Sequence, residues 1–119
     1  MRRTDHLHQR LGSLEEEFGV LFRRELECIA KGSSSIFLSR KIPHLFDGRK
    51  WLKGDAMLLE RLETEIRRLR IQLFSSDQDG VLMVLDRYLA MTAEAGAGLP
   101  GGRAHAARTV LKEWDSPKP

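Results

Sequence analysis

Residues 55–73, DAMLLERLETEIRRLRIQL, carry the clearest structural signal in this sequence. Apolar residues recur there at alternating spacings of three and four, at Leu59, Leu62, Ile66, Leu69 and Leu73. Because an α-helix completes a turn about every 3.6 residues, this spacing places all of them on one face. Asp55 at the start is a residue type preferred at helix N-caps. The stretch therefore predicts an amphipathic bundle helix, and the seam is too short for an extended coiled coil.

A second apolar stripe covers residues 5–31 and predicts a long helix. Its members are spaced by three and four along one face, at Leu7, Leu11, Leu14, Phe18 and Leu21, with Leu26 and Ile29 extending it from Phe22. Two starting points remain open. The helix begins either near Thr4 or at Ser13, where Ser13 and Glu16 would form a capping box. Gly32 is expected to end it.

The remaining apolar patterns predict two more helices. Residues 81–91 have a broad apolar face, which is typical of a central, deeply buried helix. A shorter pattern predicts a C-terminal helix over residues 103–114. We expect a bundle core over residues 1–95, a flexible glycine-rich linker at 96–102, and a disordered tail at 115–119.

Residues 33–53 are the least regular part of the chain. Pro43 interrupts any helix that reaches it, and Asp47-Gly48 is typical of a turn. One or two short helices are expected in this region. Taken together, the patterns predict an all-α fold, a small helical bundle of about four main helices.

The composition restricts location and redox chemistry. Among the 119 residues there is a single cysteine, Cys28, so no disulfide can form within one chain. The chain has no secretory signal and no apolar run long enough to cross a bilayer. We therefore expect a cytoplasmic protein without a membrane partner. The net charge of +3 is concentrated in the middle of the chain and in its tail, with no dedicated basic arm.

No catalytic or metal-binding motif is recognisable. The histidines are scattered, at His6, His8, His44 and His105, and none has metal-ligand spacing. Cys28 has no histidine close in sequence that could activate it, and the glycines before residue 103 lack a Gly-Lys-Ser/Thr triplet. We therefore expect a non-enzymatic protein that uses no cofactor and no metal.

Cations and aromatic residues are interleaved between residues 37 and 53. The cations are Arg40, Lys41, Arg49, Lys50 and Lys53, and the aromatic residues include Phe37, Phe46 and Trp51. One interpretation is a nucleic-acid surface, since cations neutralise phosphates and aromatic rings stack on bases. The other is that the aromatic side chains fill the core while the cations solvate a connecting loop. The sequence leaves both open.

Residues 28–34, CIAKGSS, resemble the His-x-x-Lys-Gly-Ser-Ser stretch of histidine phosphotransfer domains, which are helical bundles. Gly54-Asp55 and the leucines that follow are similar to the next helix of that family. Cys28 stands where the family has its phosphate-accepting histidine. The resemblance implies a docking domain that does not carry phosphate in the usual way.

The leading hypothesis is a helical adaptor or regulatory protein that works through protein–protein contacts, with a homodimer as one form. The two seams, Leu7–Leu21 and Leu59–Leu73, could pack internally or be offered to a partner. A nucleic-acid-associated regulator and a histidine-lacking phosphotransfer-like domain are the alternatives. The candidate interaction residues are Arg40, Lys41, Arg49, Lys50, Trp51, Lys53, Leu59, Leu62, Ile66, Leu69 and Leu73.

Overall fold

The computed structural model of the protein describes residues 2–41, 52–74, 80–95 and 102–116. These residues form helices without a β-strand, which confirms the predicted all-α fold. Four helices are long and one is short, and the short one lies in the region where short helices were expected. In chain order they are α1 (Arg2–Ala30), α2 (Ile36–Ser39), α3 (Ala56–Gln72), α4 (Leu82–Ala95) and α5 (Gly102–Asp115).

Helix α1 is one continuous helix, so the start near Thr4 agrees with the structure and the start at Ser13 is wrong. The reason is that Leu7, Leu11 and Leu14 all pack on the core, which extends the buried face beyond Ser13. Gly32 ends the helix as expected, with a φ of 104°. The amide of Ser33 donates to the Cys28 carbonyl and that of Gly32 to the Ile29 carbonyl, the pattern of a Schellman turn.

The core is built around three phenylalanine rings that connect α1 to α2. The centroids of Phe18 and Phe22 are 5.4 Å apart, and Phe37 meets both rings edge-on at 6.1 and 6.3 Å. Each of these side chains is fully buried. Such rings remove a large apolar area from water and add favourable edge-to-face contacts. This cluster therefore fixes α2 against α1.

Helix α1 lies at the centre of the bundle, with α3 and α5 packed along it in the opposite direction. Gly54, just before α3, approaches Glu25, whereas Glu65 pairs with Arg10. Helix α4 packs mainly on α5. The expectation that residues 81–91 form the central helix is therefore wrong. Of their broad apolar face, Leu82, Leu85 and Tyr88 are buried, whereas Val81, Val84, Leu89 and Met91 are only partly buried.

A buried carboxylate ties α1 to the segments that precede α2 and α3. Glu25 is 4% exposed and accepts hydrogen bonds from the Ser35 hydroxyl and the Asp55 amide. The Ser35 oxygen in turn caps α2 by accepting from the Leu38 amide at 3.2 Å. Gly54 is needed beside it, because a Cβ there would collide with the Glu25 carboxylate. Asp55 is the N-cap of α3 as predicted, although its side chain makes no capping hydrogen bond.

Gly12 gives a direct test of the continuity of α1. It is exposed, and a Cβ at this position would meet nothing within 4 Å. The Gly12→Ala variant is expected to raise the free energy of unfolding by about 0.5–1 kcal/mol, the usual gain from glycine to alanine inside a helix. Gly32→Ala is the control and should lose about 1–2 kcal/mol, because its left-handed backbone disfavours a side chain. Chemical denaturation measures both, and a Gly12→Ala variant without any gain would contradict a continuous helix.

Glu25 should make stability depend on pH in a predictable direction. Burial raises the pKa of Glu25 above its ordinary value of 4.5, and the hydrogen bonds from Ser35 and Asp55 oppose this only in part. The folded state therefore holds this proton more tightly than the unfolded state. The contribution of the protonated Glu25 side chain to the free energy of unfolding is complete below pH 4.5. It is lost as the pH rises through the raised pKa of the folded state.

The Glu25→Gln variant, which stays neutral, should therefore gain stability relative to the wild type as the pH is raised from acid to neutral. Glu27→Gln, an exposed site on the same helix, is the control and should show no such trend. Urea denaturation over a pH series measures the difference. A constant difference between Glu25→Gln and the wild type at every pH would show that the buried carboxylate does not titrate as described.

Candidate functional site

The α3 seam that was predicted as a possible interaction surface packs inside this chain. Leu59, Leu62, Ile66 and Leu69 are buried in the core, and Leu73 packs against it while half-buried. These leucines hold α3 against α1. They are therefore not available to a partner while the bundle is folded.

Two of the three described cations of the basic segment are held by neighbouring carboxylates. Arg40 pairs with Glu60 at 2.6 Å, and Lys41 pairs with Glu63 at 2.6 Å. The Lys41 ammonium also lies 5.1 Å from the centroid of the Phe37 ring. Lys53 is exposed. The other three predicted residues of this segment, Arg49, Lys50 and Trp51, lie outside the described residues.

The stretch that resembles phosphotransfer domains has a clear structural role. Cys28 is half-buried on the last turns of α1, and Lys31 and Gly32 form the turn that ends the helix. Ser34 accepts a backbone hydrogen bond from Leu52 at 3.1 Å. Gly32 in this stretch terminates α1, whereas the residue that caps α2, Ser35, follows directly after it.

The structure brings together a different set of residues, in a groove that sequence reasoning did not single out. The groove lies between α1, the start of α4 and the end of α5, and has a volume of about 730 Å³. Its apolar lining comes from all three helices, namely Gly19, Val20, Val81, Met83, Val84, Val110 and Trp114. Val20 is 56% exposed and Met83 is 47% exposed, so an apolar strip on its rim faces solvent.

Trp114 forms one end of this groove and is held in place from several sides. Its ring lies 6.5 Å from the Phe22 ring, and the Arg23 guanidinium lies 5.5 Å from its centroid. Gly19 faces Trp114 and Val81, and an added Cβ there would make ordinary van der Waals contact with both side chains, at 3.7 and 3.4 Å. This part of α1 thus lies close to both α4 and α5.

Ion pairs across the rim fix the helices that form the groove. Arg23 donates to Asp115 at 2.6 Å. The hydrogen bond between them raises the pKa of Arg23 and lowers the pKa of Asp115. On the opposite side, Arg87 makes two parallel hydrogen bonds of 3.2 Å to Glu113, which joins α4 to α5. Exposed ion pairs of this kind contribute little to the stability of the fold, so their main effect is to position the helices relative to one another.

A more buried pair closes the third side of the groove. Glu15 accepts from both Nε and Nη2 of Arg70, at 3.0 and 2.6 Å, and the Arg70 side chain is almost fully buried. Gly80 lies directly over this pair, where a Cβ would collide with both side chains. The pair therefore positions the start of α4 as well as connecting α1 to α3.

Sequence reasoning missed the groove because its members come from distant parts of the chain. One local signal was present: Val20 is apolar but lies off the stripe formed by Phe18, Phe22 and Leu26. An apolar residue on the solvent side of a long amphipathic helix is a recognisable exception to the pattern.

Comparison with known proteins finds no family model, no curated protein and no solved structure that matches this chain. Among the helices described, none combines the length and apolar character needed to cross a membrane. Within the same part of the chain, no three histidine, cysteine or acidic residues are grouped so that they could hold a metal ion.

Proposed function

We propose that this chain is a non-enzymatic helical protein that acts through protein–protein contacts, and that the groove between α1, α4 and α5 is its docking surface. The observation that supports the proposal is the apolar strip on the rim, where Val20 and Met83 are about half exposed beside an apolar floor. Exposed apolar surface bordered by charges is typical of interaction sites. The proposed occupant is an α-helix of the partner.

The shape and charge of the groove support a helical occupant. Helix α1 lines it over more than two turns, from Glu15 to Arg23, so the groove runs along a helix axis. An amphipathic helix can lay its apolar face against such a surface and direct its charges to the rim. Because the rim has carboxylates such as Glu16 and cations such as Arg87, the partner helix should have both signs of charge flanking an apolar centre.

Docking is favoured over catalysis by how the polar groups of the groove are used. Arg23, Arg87 and Glu15 are each engaged in an ion pair that joins two helices. Among the described residues of the basic segment, Arg40 and Lys41 are both engaged by carboxylates, so these two give nucleic-acid binding no comparable support.

Met83→Glu tests this proposal, because it places a carboxylate in the apolar strip without changing the core. Ile71→Glu is the matched control, since Ile71 is 76% exposed on α3 and does not line the groove. We expect immobilised wild type and Ile71→Glu to retain the same partner chains, whether other proteins or further copies, and Met83→Glu to retain at least about tenfold less.

Quantitative mass spectrometry of the retained proteins measures this difference, and circular dichroism with a thermal melt confirms that all three chains are folded. Equal retention by Met83→Glu and Ile71→Glu would refute the groove as the docking surface. The groove would also be refuted if the wild type retained no partner chain in a larger amount than Met83→Glu does.

A further inference from the structure

The middle of α1 is symmetric in charge about Val20. The sequence there is EEFGVLFRR, residues 16–24, with a pair of glutamates three and four positions before Val20 and a pair of arginines three and four positions after it. In a helix these positions lie within about one turn of Val20 and within 60° of its direction, since each residue turns the chain by about 100°. The two charge pairs therefore lie above and below Val20 on the same side of α1.

The structure exposes this side of α1. Glu16, Glu17, Val20 and Arg24 all face solvent. Val20 lies on a ridge between two depressions. One is the groove already described, and the other is a cavity of about 420 Å³ that Val20 shares with Leu21 and Leu58. Apolar surface thus continues on both flanks of the ridge, toward α4 on one side and α3 on the other.

We propose that the helix that docks on this surface is α1 of a second copy of the chain, in antiparallel orientation, with a two-fold axis that passes beside Val20. The inference rests on the proposed function and names its occupant. In this arrangement the residue numbers that face each other sum to 40, so Glu16 lies level with Arg24 of the other copy and Glu17 with Arg23. The same contact is made twice, as in any isologous interface.

Charge selects the antiparallel orientation. A parallel pairing in register would place Glu17 beside Glu17 and Arg24 beside Arg24, which repels at both ends. The antiparallel pairing brings opposite charges together at both ends and leaves the valines in the centre. Within the described residues, Glu17 and Arg24 take part in no intramolecular ion pair, so dimerisation does not have to break one. Arg23 can keep its bond to Asp115.

The contact has a modest apolar centre and depends on paired charges, so it should be weak and sensitive to salt. Val20 of each copy contributes the centre, with Leu58 and Met83 on its flanks. Because exposed ion pairs are screened by dissolved ions, the dimer is expected to be most stable at low ionic strength.

A charge-exchange experiment tests the inference with variants that should fold normally, since both sites are exposed. Glu16→Arg places arginine level with Arg24 of the second copy of the same variant, and Arg24→Glu places glutamate level with Glu16 of the second copy. Each variant alone should self-associate at least about tenfold more weakly than the wild type. An equimolar mixture should form a heterodimer with near wild-type affinity, because every facing pair is then of opposite sign.

Sedimentation equilibrium at low salt, over a range of concentrations, measures the average mass between one chain of 13.6 kDa and two. A wild type that remains at one chain mass throughout overturns the inference. The inference is also overturned if both variants dimerise as well as the wild type does, or if the mixture of the two variants does not restore association. None of these results refutes the proposed function, which fails only if retention does not depend on Met83.

Discussion

Burial of the aromatic stripe of α1 is the constraint on which the rest of the structure depends. Phe18, Phe22 and Leu26 are fully buried. Helices α2, α3 and α5 all pack on α1 at the core. This helix of 29 residues buries its stripe against two neighbours, since α3 and α5 both pack along it. The polar contacts follow from this arrangement, including the tether from Glu25 to the segments before α2 and α3.

The same constraint determines which surface is left for a partner. A helix that is packed on two sides and buried on its core face keeps one strip of surface exposed, and in α1 this strip contains Val20 with charges at both ends. Val81 and Trp114 lie beside Gly19, and the neighbouring helices form the walls of the groove beside the strip instead of covering it. A groove and a ridge thus result from core packing, and the proposed docking uses both.

The all-α class and most of the helices could be predicted from the sequence, because apolar spacing of three and four directly reports one buried face. The seam from Leu59 to Leu69 is the clearest example. The start of helix α1 was harder to predict. A local capping pattern at Ser13 competed with an apolar stripe that begins at Leu7, and tertiary burial of that stripe decided the outcome.

The candidate site could not be predicted in the same way. Periodicity identifies a face but not its neighbour, so the breadth of the apolar face in α4 suggested a central helix where the structure places a peripheral one. The pairing of Arg40 with Glu60 and of Lys41 with Glu63 joins residues about twenty positions apart. The sequence shows these two charges without their partners, and therefore overstates the free positive charge at Arg40 and Lys41.

The claim that α1 is core on one face and a self-docking surface on the other can be tested most directly by nuclear magnetic resonance. An equimolar mixture of isotope-labelled and unlabelled wild-type chains, with isotope-filtered detection, reports only contacts between different copies. The account predicts intermolecular Overhauser effects from the methyl groups of Val20 to the facing segment of α1. Intermolecular contacts confined to other exposed apolar residues, such as Ile71 of α3 or Phe74 just after it, would contradict it.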